Sequence, residues 1–307
     1  MKTLLPILMH WAVVFATAPF FIGVITKVKA FFGGKVGAPL LQPYFDIAKL
    51  LRKGTVYSRT TTWVFRAAPA VSLSAAAVVI LFVPLGGIPA AVRFDGDIFF
   101  AAYVLALSRF FMITAALATG FSMEGMGASR EAFFSCLCEA ALFMNFITLA
   151  LLTRSVSFAP MLGADAALPW IRLGSALLLV VASLFIVLLA ENCRIPVDDP
   201  DTHLELTMIH EVMILDHSGA DLAYLLYASA IKFFVFASIL IAIVLPGSTG
   251  NYAKDTAIFF CGMTGLAVVV AVVESTMARL RLSRVKDLLL IAFVLAFFGC
   301  IVAMWRG

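Results

Sequence analysis

Eight windows of the sequence, roughly 3–26, 66–89, 97–120, 132–153, 169–190, 222–245, 255–274 and 286–305, are long and apolar enough to cross a hydrocarbon core, which takes about 20 helical residues. Backbone groups in lipid find no water, so a span must close its hydrogen bonds within one helix or a closed barrel. No window alternates apolar and polar residues as a barrel strand does. The expected class is therefore all-α: a polytopic membrane helix bundle with about eight transmembrane helices, one integral membrane domain over 1–307. With 63% apolar and 13% charged residues, a soluble domain is excluded. A net charge of +4 is ordinary for such a chain and points to no nucleic acid; the lipid bilayer is its first partner.

Ala16-Thr17-Ala18 imitates a secretory cleavage site, but Pro19 follows it and the apolar run continues through Ile25, so an uncleaved first span is expected. Cys136, Cys138, Cys193, Cys261 and Cys300 form no Cys-x-x-Cys pair, which argues against a cluster or zinc site carried by this chain. If the spans alternate, fourteen of the Lys and Arg residues at their ends and in the connections fall on one side and six on the other. The richer side is read as cytoplasmic, with both termini outside.

On that side, Tyr44 to Lys53 places Phe45, Ile47, Ala48, Leu50 and Leu51 on one face, with Asp46, Lys49, Arg52 and Lys53 opposite. This predicts an amphipathic interfacial helix over about 40–54, either a surface anchor or a docking element.

Ionisable residues inside spans are costly and concentrate at functional sites. Arg109 in the third span fits either a snorkelling, ion-paired group or a functional one. Glu139, deeper in the fourth span with a shorter side chain, favours function, and its spacing from Arg130 puts the two on different sides of the helix. Lys232 lies about ten residues into the sixth span. An ammonium there must be paired, hydrated or neutral, so it reads as a proton-exchanging group or as half of a salt bridge to a neighbouring span.

The densest such region is 191–221, with eight of the chain's eighteen acids and three of its four histidines. Pro196 and Pro200 break the helix, and Asp201 or Thr202 can cap a new one running through His203, Glu205, His210 and Glu211. His203, His210 and His217 recur every seven residues, about 10 Å apart along a continuous helix, too far to share one metal ion.

The stretch ENCRIPVDDPDTHLEL, the amphipathic LLQPYFDIAKLLRK, the GASRE…CE spacing and the ARLR loop together resemble the membrane-anchor subunit shared by respiratory complex I, where it is the H subunit or mitochondrial subunit 1, and its hydrogenase relatives. The resemblance covers nearly the whole chain; its most specific element is Glu191, Arg194, Pro196 and Asp198 followed by Asp201 and Glu205. It implies a non-redox subunit of an oxidoreductase complex in a bacterial or archaeal cytoplasmic membrane, coupling redox chemistry in a peripheral arm to proton movement. Glu139, Glu191, Glu205 and Glu211 would belong to the proton route; Lys232 joins them on the bilayer argument alone. Arg194, Pro196, Asp198, Asp199, Asp201 and His203 of the loop, with Gln42, Pro43 and Asp46 of the amphipathic helix, would face peripheral large and small subunits. Antiporter-like membrane subunits are the other expected partners. Iron-sulfur clusters and a nickel-iron site are expected in partner subunits and none in this chain.

Departures choose the branch. Val197 stands where quinone-reducing members usually have Phe, Phe134 and Cys138 where they have Gln and Tyr, and Asp199, Pro200 and His203 intervene in the loop. These resemble the formate hydrogenlyase and energy-converting nickel-iron hydrogenase branch. The alternatives are the quinone-binding subunit of a complex I-like NADH:quinone oxidoreductase and a passive anchor.

Overall fold

The computed structural model describes residues 4–59, 61–163, 168, 170–198, 208–245 and 250–306. In chain order its helices are α1 (Leu4–Phe32), α2 (Gln42–Leu51), α3 (Trp63–Val79), α4 (Asp97–Ala118), α5 (Ser122–Thr153), α6 (Phe158–Leu162), α7 (Trp170–Glu191), α8 (His210–Met213), α9 (Gly219–Val244), α10 (Tyr252–Thr276) and α11 (Leu282–Arg306). Eight are long and apolar enough to cross a membrane, matching the eight windows. The described residues contain no strand, only an isolated bridge between Leu85 and Ile88.

Two boundaries differ from expectation. The second window was expected to reach residue 89, but α3 ends at Val79 and a 3-10 turn, Ile80–Phe82, closes it. Pro84 cannot donate to a helix, and Leu85 and Ile88 instead exchange backbone hydrogen bonds of 2.9 and 3.1 Å around Gly86-Gly87. The fourth span, expected from residue 132, is α5, which already begins at Ser122. Gly127, which weakens helix propensity, is there for packing: a Cβ would stand 2.2 Å from Val212 Cγ1 and 3.0 Å from Ile209 O.

α9 is the central helix, with 72% of its span window buried. It packs against α1, α2, α3, α7 and α10, while α11 lies across α5 and α7, and α4 bridges α3 and α5. Polar links cross the outer layer: Asn145 Nδ2 donates to Ser183 Oγ at 2.8 Å, and Ser183 Oγ donates to Ala292 O at 2.7 Å. In lipid, where apolar contacts between helices give little net driving force, such links and close packing hold spans together.

One end of the bundle gathers the segments that carry the site. Val56 N donates to Ser218 Oγ at 3.1 Å, Leu280 N donates to Pro196 O at 3.0 Å, and Arg130 Nη1 donates to Met208 O at 2.9 Å. The α1–α2 connection folds back so closely that a Cβ on Gly23 would stand 2.0 Å from Leu40 O. α2 forms where the periodicity placed it, with Pro43 in its first turn, where a missing N–H costs nothing. Its inner edge is narrower than expected. Ile47 is buried and Leu50 half-buried, whereas Phe45, Ala48 and Leu51 are exposed, because Tyr44 anchors the helix by donating from its hydroxyl to Ala16 O and turns the other edge outward.

Candidate functional site

Four elements bring ionisable side chains to one place inside the bundle. Arg109, in the middle of α4, donates through Nη2 to both oxygens of Glu191 at 2.7 Å, and through Nη1 to Glu139 of α5. Its Nε faces Glu131 Oε1 of α5 at 3.8 Å. Lys232 Nζ of α9 completes the cluster 2.8 Å from Glu191 Oε2. Glu191 is the last residue of α7, and its side chain keeps 2% exposure, so one deeply buried carboxylate holds two cations. Charges in such surroundings persist only when paired. Both sequence alternatives for Lys232 included such a pair or a proton exchange; the geometry supplies the pair.

Beyond Glu191 the chain turns sharply, with Cys193 at φ +50, and begins a second network. Arg194 Nη1 reaches Glu274 Oε1 at 3.3 Å, and Lys29 Nζ reaches Glu274 Oε2 at 3.1 Å. Arg194 also lies over the Phe233 ring, 5.9 Å from its centroid, a cation–π contact. Arg279 Nη2 holds Asp198 Oδ1 at 2.6 Å, leaving Asp198 Oδ2 to accept from Ile209 N and His210 N, each at 3.1 Å. Burial pushes the Cys193 thiol well above its ordinary range.

This corrects the loop. α8 spans His210–Met213 only, and Met208 and Ile209 before it are not helical. The expected helix does not run into His210, because the free N–H groups at the start of α8 are satisfied by Asp198 rather than by a residue just ahead of them. The seven-residue face of histidines goes with it, since α8 ends before His217. Asp199, Asp201, His203 and Glu205 lie outside the described residues.

Two cavities that touch the cluster and a third that adjoins them surround it. One of about 70 Å³ is lined by Arg109, Glu131, Glu191, Cys193, His210 and Lys232, among others. A smaller one of about 20 Å³ is walled by Glu131, Phe134, Cys138, Glu191, Val197 and Asp198 among others. A third, of about 360 Å³, opens between α1, α2, the loop and α9, with Gln42, Pro43, Asp46, Arg194 and Glu211 in its wall. It shares Asn192, Cys193, His210, Leu225 and Ser229 with the first. About 10–15 Å³ of such space holds one water, so the first suits a short chain of waters, the second a single water and the third a larger guest.

The predicted residues thus separate into groups. Glu139 and Glu191 meet at Arg109, and Lys232 joins them through Glu191; Gln42, Pro43, Asp46, Arg194 and Glu211 share the large cavity; Asp198 caps α8, and Pro196 offers its carbonyl to Leu280. Sequence reasoning missed Glu131, Glu274, Lys29 and Arg279. Glu131 was passed over beside Arg130, although eight residues before Glu139 is about two helical turns, near the same face.

A family model described as NADH dehydrogenase matches residues 5–304. Hydrogenase-4 component C of Escherichia coli (strain K12) is 28% identical over 91% of this chain and 89% of its own length. Formate hydrogenlyase subunit 4 of the same organism is 26% identical over 97% and 98%. The H subunit of NADH-quinone oxidoreductase from Rubrobacter xylanophilus is 28% identical over 81% and 76%. Among solved structures, a chain of the membrane-bound sulfane sulfur reductase, an archaeal respiratory membrane complex, superposes with a TM-score of 0.86 at 21% identity, covering 99% of this chain and 100% of that one. At that identity the likeness speaks for the fold.

Proposed function

This chain belongs to the NADH dehydrogenase family, in the group formed by the H subunit of complex I and its hydrogenase counterparts, and on that premise we propose that it is the membrane anchor and ion-translocation coupling subunit of a group 4 nickel-iron hydrogenase or formate hydrogenlyase-like complex. The hydrogenase-named relatives align over more of their length than the NADH-quinone oxidoreductase relative does, which supports that branch. The observation that carries the coupling role is the cluster itself: Arg109, Glu139, Glu191 and Lys232 arrive from four spans and form one ion-paired group, three of them in the wall of a cavity. A bundle that only anchored its partners would have little use for so many desolvated charges.

The loop between α7 and α9 lies in the cytoplasm with α2, against hydrogenase-like large and small subunits that carry the iron-sulfur clusters and the nickel-iron site. Electron transfer there changes charge or position at the loop. Glu191 ends the span that leads into it, so any displacement of Arg194 or Asp198 is felt at Arg109 and Lys232. Protons then redistribute among Glu211, Glu191, Glu139 and Lys232, with Glu205 on the loop side, toward antiporter-like membrane subunits. Both termini face outward from the cytoplasmic membrane.

The test uses the whole complex in sealed vesicles, with Lys232→Met and Glu139→Gln made separately. Loss of pumping at preserved assembly is expected; pumping at the normal ion-to-electron ratio in both variants returns the chain to a passive anchor. The cavity of about 360 Å³ falls within the usual range of small-molecule pockets and favours a second reading, the quinone-binding subunit. Quinone-dependent turnover blocked by a quinone-site inhibitor, in place of hydrogen evolution, selects it.

A further inference from the structure

Among the described residues, Glu131 is the one carboxylate of the cluster that no cation grips directly. Its Oε1 is 3.8 Å from Arg109 Nε, and that nitrogen has no hydrogen-bond partner among the described residues. Glu191 is held through both oxygens and by Lys232 as well, and Glu139 is in direct contact with Arg109. Arg109 and Lys232 face three carboxylates, so one negative charge is left over in poorly solvated surroundings.

Position agrees with this. Glu131, like Glu191, stands in the walls of two inner cavities, the one of about 70 Å³ shared with Lys232 and the one of about 20 Å³ that reaches Asp198 of the loop, and of the two it is the carboxylate not held by direct cation contacts. Its side chain keeps 15% exposure against 2% for Glu191. Phe134, Cys138 and Val197, the positions that depart from the quinone-reducing pattern, also wall the smaller cavity, so the branch-specific residues and Glu131 occupy one place. The groups facing it are Arg109 from α4, Glu139 on its own helix, Glu191 of α7, Cys193 and Asp198 of the loop, His210 of α8 and Lys232 of α9. Among the described residues, no ionisable group of α11 is in either wall.

The geometry points to Glu131 as the proton-loading carboxylate of the cluster, taking protons from the loop-side cavity and delivering them to the one shared with Glu191 and Lys232. This rests on the ion-coupling reading and deepens it. In the loading step a hydronium in the smaller cavity gives its proton to a Glu131 oxygen and leaves as water. In the delivery step the same O–H bond breaks toward a water of the larger cavity, restoring the carboxylate and forming hydronium there. Glu191 orients Arg109 and Lys232 beside that cavity.

The whole complex in liposomes is cycled between oxidised and reduced states while infrared difference spectra and proton uptake are recorded for wild type, Glu131→Gln and Glu131→Asp. Wild type should show a carboxylic C=O band that moves in D2O. Glu131→Gln should lose that band and at least about tenfold in protons moved per electron. Glu131→Asp should keep a band at a shifted frequency and recover part of the pumping, which a merely structural role does not predict. A band unchanged in both variants overturns the proposal, as does normal pumping in Glu131→Gln. If Glu131→Gln fails to assemble, the aspartate variant decides by whether its band moves. Wild-type complex that moves no protons sinks the coupling reading itself, whereas normal wild-type pumping beside a normal Glu131→Gln sinks only this assignment.

Discussion

Arg109 Nη2 stands 2.7 Å from each oxygen of Glu191, so a guanidinium from the middle of α4 grips the last residue of α7. Both side chains are buried, at 10% and 2% exposure. Arg109→Gln leaves Glu191 with Lys232 alone, and breaking one side of a buried pair typically costs about 3–5 kcal/mol. Arg109→Gln combined with Glu191→Gln should be less destabilised than the two single changes added together, with a coupling energy above about 1 kcal/mol. Unfolding titrations of the detergent-solubilised chain measure this; additive losses would show that the contact carries no coupling.

Asp198 joins the loop to two elements at once, accepting from Arg279 at 2.6 Å and from Ile209 N and His210 N at 3.1 Å. Asp198→Ala removes the cap of α8 and leaves Arg279 without that partner. Loss of a side-chain cap costs about 0.5–2 kcal/mol, so amide exchange at Ile209 and His210 should accelerate about tenfold while α9 and α10 are unchanged. Uniform acceleration over the chain would mean that Asp198 supports the whole bundle and not the loop.

Gly127 permits α8 to lie directly on α5. The added methyl of Gly127→Ala would fall 2.2 Å from Val212 Cγ1 and 3.0 Å from Ile209 O, and neither a β-branched side chain nor a backbone carbonyl yields easily. Overpacking of this kind costs about 1–3 kcal/mol. A drop in thermal midpoint with faster proteolysis around residue 213 is expected; an unchanged midpoint shows that the two segments part without cost.

The eight spans were legible because burial in lipid demands runs of apolar residues, and α2 was legible from its periodicity. The hub was half legible. Glu139, Glu191 and Lys232 are anomalies in apolar sequence and drew attention one by one, but that Arg109 joins them depends on how α4, α5, α7 and α9 pack, which spacing within a single helix does not encode. Glu131 and the cap by Asp198 were missed for a related reason. Glu131 stands ahead of the apolar window that marked the fourth span, on helix that tertiary packing extends back to Ser122, and proximity in sequence suggested Asp201 or Thr202 as the cap where a carboxylate about eleven residues from Ile209 does the work. Residues whose partners are distant in sequence stay silent until the fold brings those partners together.

His217, just before α9, stacks on Phe65 with ring centroids 4.0 Å apart and planes at 6°, and neither ring nitrogen has a hydrogen-bond partner among the described residues. Burial lowers its pKa to about 4, against the opposing influence of Asp221 and Asp216. An unfolded histidine titrates near 6.5, so between those values the unfolded chain binds the extra proton and stability rises with pH. The stabilisation from keeping His217 neutral is fully present above about 6.5 and lost as pH falls toward 4, a difference of up to about 3 kcal/mol. Thermal midpoints of the purified protein should therefore fall between pH 7 and pH 4, and His217→Phe, which keeps the stack on Phe65 without an ionisable ring, should flatten that part of the profile. Identical pH profiles for wild type and His217→Phe would assign the acid sensitivity to other groups.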